Sequence, residues 1–125
     1  GAHMKYNPAK NSIYYSDEPP REGVKPCANY MYESLIGSSF DNITCVVMTG
    51  MGADGTAGIK ALDKAVKENK NIVTGGAKIL RVIAQNEASS TVYGMPKNIF
   101  ATGLVDQVVD LDSIAQEIIM NVGVR

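Results

Sequence analysis

The sequence predicts an α/β domain in three layers, with a mostly parallel, doubly wound sheet covered by helices. Apolar runs of strand length alternate with stretches whose apolar residues recur at helical spacing. The clearest unit runs from Thr44 to Gly58, where the apolar run Cys45 to Met48 breaks into a glycine-rich turn that opens a helical pattern. Such an alternation of strand, turn and helix is typical of a parallel sheet.

Size and composition predict one ordinary globular domain. The chain has 125 residues, of which 45% are hydrophobic and 20% are charged. Twelve basic and 13 acidic residues give a net charge of -1, so we expect neither nucleic acid nor an anionic membrane as a partner. No apolar run is long enough to insert into a membrane, and no signal peptide is visible, so a cytoplasmic location is expected. The two cysteines fit reduced thiols, and no cofactor or metal is expected.

The first four residues, Gly-Ala-His-Met, are predicted to be the remnant of a cleaved expression tag. This interpretation leaves residues 5–125 as the domain and excludes residues 1–4 from the fold. Because His3 is the only histidine in the chain, the remaining sequence would then have none.

The order of elements follows from the pattern along the chain. We expect a short edge strand at Ile13 to Tyr15, an extended loop, and a helix between Pro26 and Gly37. Thr44 to Thr49 is predicted to be the central strand, followed by a helix to about Lys67. The later predictions are a turn at Gly75-Gly76, strands at 79–84 and 105–111, a helix from Gly94 to Phe100 ended by Gly103, and a closing helix whose capping box is Ser113 with Gln116.

The glycine turn is where we expect the chemistry, because sites in open α/β sheets gather beyond the carboxyl ends of strands. Its spacing, Gly50 to Gly55, fits the fingerprint that binds a dinucleotide pyrophosphate. Against that interpretation, Asp54 would repel the phosphate, and no acidic residue ends a strand about 20 residues later. Asp54 also fits the orienting acid of a Ser-His-Asp system, although a helix N-cap is the commoner role of an isolated aspartate at a helix start, and spacing alone does not decide between them.

Four blocks of sequence, in order, resemble one family. They read Thr-Gly-Met-Gly-Ala-Asp-Gly from Thr49, Ala-Gln-Asn-Glu from Ala84, Val-Tyr-Gly-Met-Pro from Val92 and Val-Val-Asp-Leu from Val108. They are similar to the C-terminal part of the chemotaxis receptor-glutamate methylesterases of the CheB type. The resemblance implies a serine hydrolase that converts glutamate methyl esters on chemoreceptors to glutamate and methanol.

The resemblance also implies roles for individual residues. Asp54 would be the acid of the catalytic triad, and the backbone N–H of Met51 would be an oxyanion donor. The walls of the substrate cleft would be Gly52, Gln85, Asn86, Met95 and Pro96, for which ordinary loop packing is an equally good interpretation. The partners implied are the methylated receptor domain and, in the parent protein, a regulatory receiver domain.

Departures from the family limit what this chain is expected to do. The glycine-rich segment with the family's serine and the following segment with its histidine are not found. The family's Arg-His-Arg-Pro-Ser-Val-Asp run is replaced here by residues 22–29, Glu-Gly-Val-Lys-Pro-Cys-Ala-Asn. The chain is therefore expected to be the C-terminal portion of a catalytic domain, inactive alone, and to self-associate through an exposed sheet edge.

Two further interpretations come from other functional classes. One is a noncatalytic nucleotide- or protein-binding module that uses the turn from Gly50 to Gly55. The other is a stand-alone paralogue that has lost catalysis and retains receptor or scaffold contact.

Overall fold

A computed structural model describes residues 1–69 and 77–123. The described chain forms one antiparallel sheet of two strands and one parallel sheet of three. The strands are β1 (His3–Asn7), β2 (Ser12–Ser16), β3 (Asn42–Val47), β4 (Ile79–Gln85) and β5 (Gln107–Val109). The helices are α1 (Ala28–Ser34), α2 (Thr56–Asn69), α3 (Gly94–Phe100) and α4 (Ile114–Val122), and a 3-10 turn at Leu111–Ser113 precedes α4.

The parallel sheet confirms the predicted α/β class. Its strand order is β3-β4-β5, and the register places Cys45 opposite Val82 and Ala84 opposite Val108. The strand predicted to be central, Thr44 to Thr49, is observed as β3 at an edge of the described sheet, and β4 is central. That prediction was wrong because a continuous apolar run indicates burial on both faces, which helices provide at an edge as well.

Side chains on the two faces of the sheet define the layers. One face packs against α1, α2 and α3, and its buried cluster includes Cys45, Val82, Ile59, Leu62 and Ile99. Ile83 is fully buried yet stands outside this cluster, as expected for the residue that follows Val82 in a strand. The helix α4 contacts β3 and β4 and contributes the buried Ile114, which gives the third layer.

The antiparallel hairpin packs against α1. The predicted strand at Ile13 to Tyr15 is present as β2, and its partner β1 begins at His3. The sequence interpretation excluded His3 and Met4 from the fold, but the structure places both in β1, with His3 fully buried. Whether the first four residues derive from an expression tag stays a prediction, since a strand position does not report their origin.

The ends of the helices test the predicted boundaries and caps. The helices predicted after Pro26 and at Gly94 to Phe100 are confirmed, and Gly103 has the left-handed φ of +79° expected beyond the C-terminus of α3. The predicted capping box is wrong, because the Ser113 side chain makes no cap hydrogen bond. The Asp110 carboxylate instead accepts from the Ser113 N–H. The predicted turn at Gly75-Gly76 lies outside the described residues.

Candidate functional site

Asp54 lies just beyond the carboxyl end of β3, as the sequence predicted, and only 9% of it is exposed. Both of its carboxylate oxygens accept backbone hydrogen bonds from the start of α1. Oδ2 is 2.7 Å from the Ala28 nitrogen, and Oδ1 is 3.1 Å from the Asn29 nitrogen. The sequence left open a helix cap as the alternative role, and the carboxylate does cap a helix, although that helix is α1 and not the α2 that follows it.

The cap leaves capacity for a further partner. A carboxylate offers about four lone-pair positions for hydrogen bonds, and the two amides use two of them. Two N–H donors from one helix turn also fix the orientation of the carboxylate plane. Asp54 is therefore held rigidly while it remains able to accept a third hydrogen bond.

The helices α1 and α2 cap each other. The Asn29 side-chain oxygen accepts from the Gly55 nitrogen at 3.0 Å and from the Gly58 nitrogen at 2.7 Å, and Asn29 is fully buried. Gly58 permits the close approach of the helices, since a Cβ there would lie 2.8 Å from the Asn29 carbonyl oxygen. The turn that carries Asp54 and the helix that holds it thus form one rigid unit.

His3 lies beside this unit and is fully buried. Its Nδ1 accepts the Cys27 N–H at 3.2 Å, and its Nε2 donates to the carbonyl oxygens of Glu18 at 3.0 Å and Pro19 at 3.1 Å. A ring whose Nδ1 accepts carries its proton on Nε2, so this geometry defines the neutral Nε2–H tautomer. The amide that binds His3 immediately precedes the Ala28 amide that binds Asp54, so the two side chains are held by consecutive residues at the start of α1. The two side chains do not hydrogen-bond to each other here.

The glycine turn is pinned to the segment before α3. The Gly50 N–H donates to the Val92 carbonyl oxygen, and the Met95 N–H donates to the Gly50 carbonyl oxygen, each at 2.8 Å. A Cβ on Gly94 would lie 2.9 Å from the Gly52 nitrogen, so the missing side chain at Gly94 permits this close packing of backbone against the turn. Among the described residues, no acceptor contacts the Met51 N–H, which fits its predicted role as an oxyanion donor.

The predicted cleft residues lie at different depths. Gln85 is 1% exposed, and its side chain accepts from the Thr49 N–H at 2.8 Å and donates to the Ser89 carbonyl oxygen at 2.7 Å. Pro96 is also fully buried. Their burial fits supports of the turn better than walls of a cleft. Gly52 is exposed and Asn86 and Met95 are half-buried, so for these three the role of cleft wall stays a prediction.

An open cavity of about 500 Å³ reaches Asp54 from the side of the hairpin. Apart from the carboxylate, its walls are largely apolar, and none of the five predicted cleft residues contributes to it. The lining residues are Ala2, Met4, Tyr15, Pro26, Cys27, Ala28, Met31 and Asp54.

Sequence reasoning missed His3 and Asn29 as members of the site. A short signal for this strand was available, because apolar and polar residues alternate over Met4, Lys5 and Tyr6 directly after His3. The likeness of the first four residues to a cloning remnant outweighed that signal. Asn29 gave no local signal, since its contacts with Gly55 and Gly58 are 26 and 29 residues away.

Fold and site together define a parallel α/β domain whose polar site lies at the carboxyl end of a strand. The sequence profile of the CheB methylesterase family matches residues 1–118. The chain belongs to that family.

Relatives and a solved structure agree with this assignment. The chain is 37% identical to a protein-glutamate methylesterase/protein-glutamine glutaminase of Desulfotalea psychrophila, over 98% of this chain and 31% of the relative. It is 41% identical to a protein of the same description from Lawsonia intracellularis, over 94% of this chain and 30% of that relative. The fold is similar to the crystal structure of the Thermotoga maritima CheB methylesterase catalytic domain, with a TM-score of 0.76 and 22% identity, over 95% of this chain and 57% of that one. The chain thus spans about a third of the length of these curated relatives.

Proposed function

We propose that the full-length protein containing this chain is a protein-glutamate methylesterase that hydrolyses glutamate methyl esters on chemoreceptors by a Ser-His-Asp mechanism. Family membership supports the reaction class, and the relatives are described as protein-glutamate methylesterase/protein-glutamine glutaminase. The observation that carries the proposal is the carboxylate of Asp54, buried at a strand end with both oxygens fixed by the Ala28 and Asn29 amides, while a histidine ring binds the preceding Cys27 amide.

We assign Asp54 as the triad acid, the Met51 N–H as an oxyanion donor and His3 as the candidate base. In such a triad the acid accepts from Nδ1–H, and the base takes the proton of the nucleophile at Nε2. The hydrogen-bond partners of the ring assign its proton to Nε2 instead, so His3 must change tautomer and turn from the Cys27 amide toward Asp54. The serine is expected from a segment outside this chain.

The reaction then runs in two balanced halves. The serine oxygen adds to the ester carbonyl as the base takes its proton, and the developing oxyanion is stabilised by the Met51 N–H. Collapse of this intermediate breaks the bond to the methoxy oxygen, which leaves as methanol with the proton from the base. Water attacks the acyl-enzyme by the same route and releases glutamate and free serine.

The test is methanol release from methylated receptor membranes by the full-length protein, compared with Asp54→Asn and His3→Gln. Each variant is expected to lose roughly 10³-fold to 10⁴-fold in kcat. Asp63→Asn, which removes an exposed ion pair with Lys67 on α2, is the matched control and should retain full activity. In Asp54→Asn, the side-chain NH₂ group is a donor and would face a backbone N–H, which is also a donor, so the helix cap is weakened. Circular dichroism therefore checks that this variant is folded.

The outcomes separate the assignments. An inactive wild-type protein would overturn the esterase proposal, and an active Asp54→Asn variant would overturn the role of the acid. If His3→Gln retains activity, the base lies elsewhere in the full-length protein, as the sequence had predicted. The alternative of a nucleotide-binding turn predicts saturable dinucleotide binding, whereas two of the turn's N–H groups, those of Gly50 and Gly55, are already used internally.

Location and partners belong to the same proposal. In the described part of the chain, no helix is long and apolar enough to span a bilayer. A cytoplasmic location, the methylated receptor as substrate, and regulation by a receiver domain are proposed from the family. Self-association through an exposed sheet edge also stays a prediction, and β3 is an edge strand of the sheet formed by the described residues. Light scattering at high concentration that detects only monomer would exclude it.

A further inference from the structure

A second acid stands behind the site, on the far side of Asn29 from the glycine turn. The Glu22 carboxylate accepts a hydrogen bond of 2.6 Å from the Asn29 side-chain amide. The other end of that amide holds the Gly55 and Gly58 N–H groups. Since Asn29 is fully buried, Glu22 fixes which end of the amide faces the turn.

The backbone at Glu22 has a conformation that glutamate rarely adopts. Arg21 and Val24 exchange two backbone hydrogen bonds of 3.1 and 3.0 Å, and the residues between them, Glu22 and Gly23, have φ of +53° and +73°. A tight turn with two positive φ values favours asparagine, aspartate or glycine at its centre. Glutamate is a costly choice there, and such strain is retained where the surrounding structure and its function require it.

We propose that Glu22 and Asn29 are positioning residues for the acid of the site, an inference that rests on the proposed esterase function. Glu22 orients the Asn29 amide, and Asn29 fixes the turn at Gly55, directly after Asp54. The Asn29 N–H also holds Asp54 Oδ1. The pair therefore sets the direction of the carboxylate through the backbone of the turn and of α1.

The first test replaces the strained residue in the full-length protein. Glu22→Gly removes the carboxylate and also relieves the positive φ, so thermal stability should be unchanged or raised. The loss of positioning should lower kcat about tenfold or more while KM changes less than about threefold, because displacements of about 1 Å can cost 10²-fold. Glu22→Gln, which keeps an acceptor for the Asn29 amide, should stay within about threefold of the wild type.

The second test exchanges the two chemical groups. Asn29→Asp keeps an acceptor for Gly55 and Gly58 but places a carboxylate against Glu22, and should lower kcat roughly 10-fold to 100-fold. Combining it with Glu22→Gln restores a donor opposite the carboxylate, so the double variant should recover to within about threefold of the wild type. Asp63→Asn serves again as the control on α2.

The outcomes distinguish this inference from the proposed function. An inactive wild-type protein overturns the esterase proposal and with it this inference. If the wild type is active, parallel losses of Tm and kcat in Glu22→Gly, or unchanged kcat, overturn the positioning role. Failure of the double variant to recover, with Asn29→Asp folded, does the same. If Asn29→Asp does not fold, a double variant that folds and is active supports the pairing, and one that does not fold overturns it.

Discussion

The region around the parallel sheet and the region before α1 are held together by different forces. In the first, residues 42–109, apolar side chains such as Ile59, Leu62 and Ile99 are 1% exposed or less. In the second, residues 1–27, four of the five residues of β2 are exposed, and several polar side chains are paired. They include ion pairs of 2.6 Å between Lys5 and Glu18 and of 2.7 Å between Lys25 and Asp17.

The site lies where these regions meet. Asp54 belongs to the region of the sheet, whereas His3 and the segment leading into α1 belong to the polar one. Buried apolar area contributes most to stability, and surface ion pairs contribute little. We therefore expect changes around the sheet to unfold the domain and changes before α1 to misplace groups of the site in a domain that stays folded.

The largest expected effect comes from opening a cavity beside the sheet. Ile59→Ala should lower the free energy of unfolding by about 3 kcal/mol, because Ile59 is fully buried in the main cluster. Chemical denaturation measures this change. Met120→Ala on α4 is the matched control, since 65% of Met120 is exposed, and should cost less than about 0.5 kcal/mol. Equal losses in both variants would contradict the assigned core.

An intermediate effect is expected in thiol labelling, because each region carries one buried cysteine. Cys27 is 4% exposed and lines the cavity beside Asp54, whereas Cys45 is 2% exposed within β3. Burial also raises the pKa of the Cys45 thiol to about 12, which leaves little reactive thiolate at neutral pH. At pH 8, labelling of a buried thiol requires local opening of the structure around it. Cys27 should therefore be labelled at least about tenfold faster than Cys45.

Single variants assign the two rates. Cys45→Ser reports Cys27 alone, and Cys27→Ser reports Cys45 alone. Ile59→Ala should accelerate labelling of Cys45 by lowering the free energy of global opening. Equal labelling rates in the two single variants would show that the two regions open together and do not differ in stability.

The difference between these two regions also explains which parts of the fold the sequence predicts. The strands and helices from Thr44 onward follow from hydrophobic period and glycine position, both of which act locally. The position of Asp54 beyond β3 follows from the same signals. The register of the hairpin and the burial of His3 do not, because polar side chains in the first 27 residues are fixed by partners in the loop and in α1.

The hydrogen bonds of the candidate site also could not be predicted from local sequence patterns. No local pattern predicts that Asp54 caps α1 rather than α2, or that Asn29 caps α2 in return. Both depend on how closely the two helices approach, which is set by Gly58 at their interface. A glycine inside a helix indicates close packing but does not identify the element that packs against it.

The smallest expected effect is that of the ion pair between Lys5 and Glu18. The hydrogen bond from Lys5 lowers the pKa of Glu18 below its ordinary 4.5, and the same bond raises the pKa of Lys5 above 10.5. A carboxyl with a lowered pKa adds stability above its ordinary pKa and loses it as pH falls through the folded value. An amine with a raised pKa adds stability below 10.5 and loses it as pH rises through the folded value.

Glu18→Gln should therefore lower Tm slightly between about pH 5 and pH 10, and its Tm should converge with that of the wild type in acid and at high salt. Asp63→Asn removes a comparable exposed pair from α2 and should change Tm as little. The two variants should differ in thiol labelling. Glu18→Gln should speed labelling of Cys27, because the Glu18 carbonyl also holds the His3 ring that binds the Cys27 amide. An equal acceleration of Cys27 in Asp63→Asn would show that the polar region is not separately held.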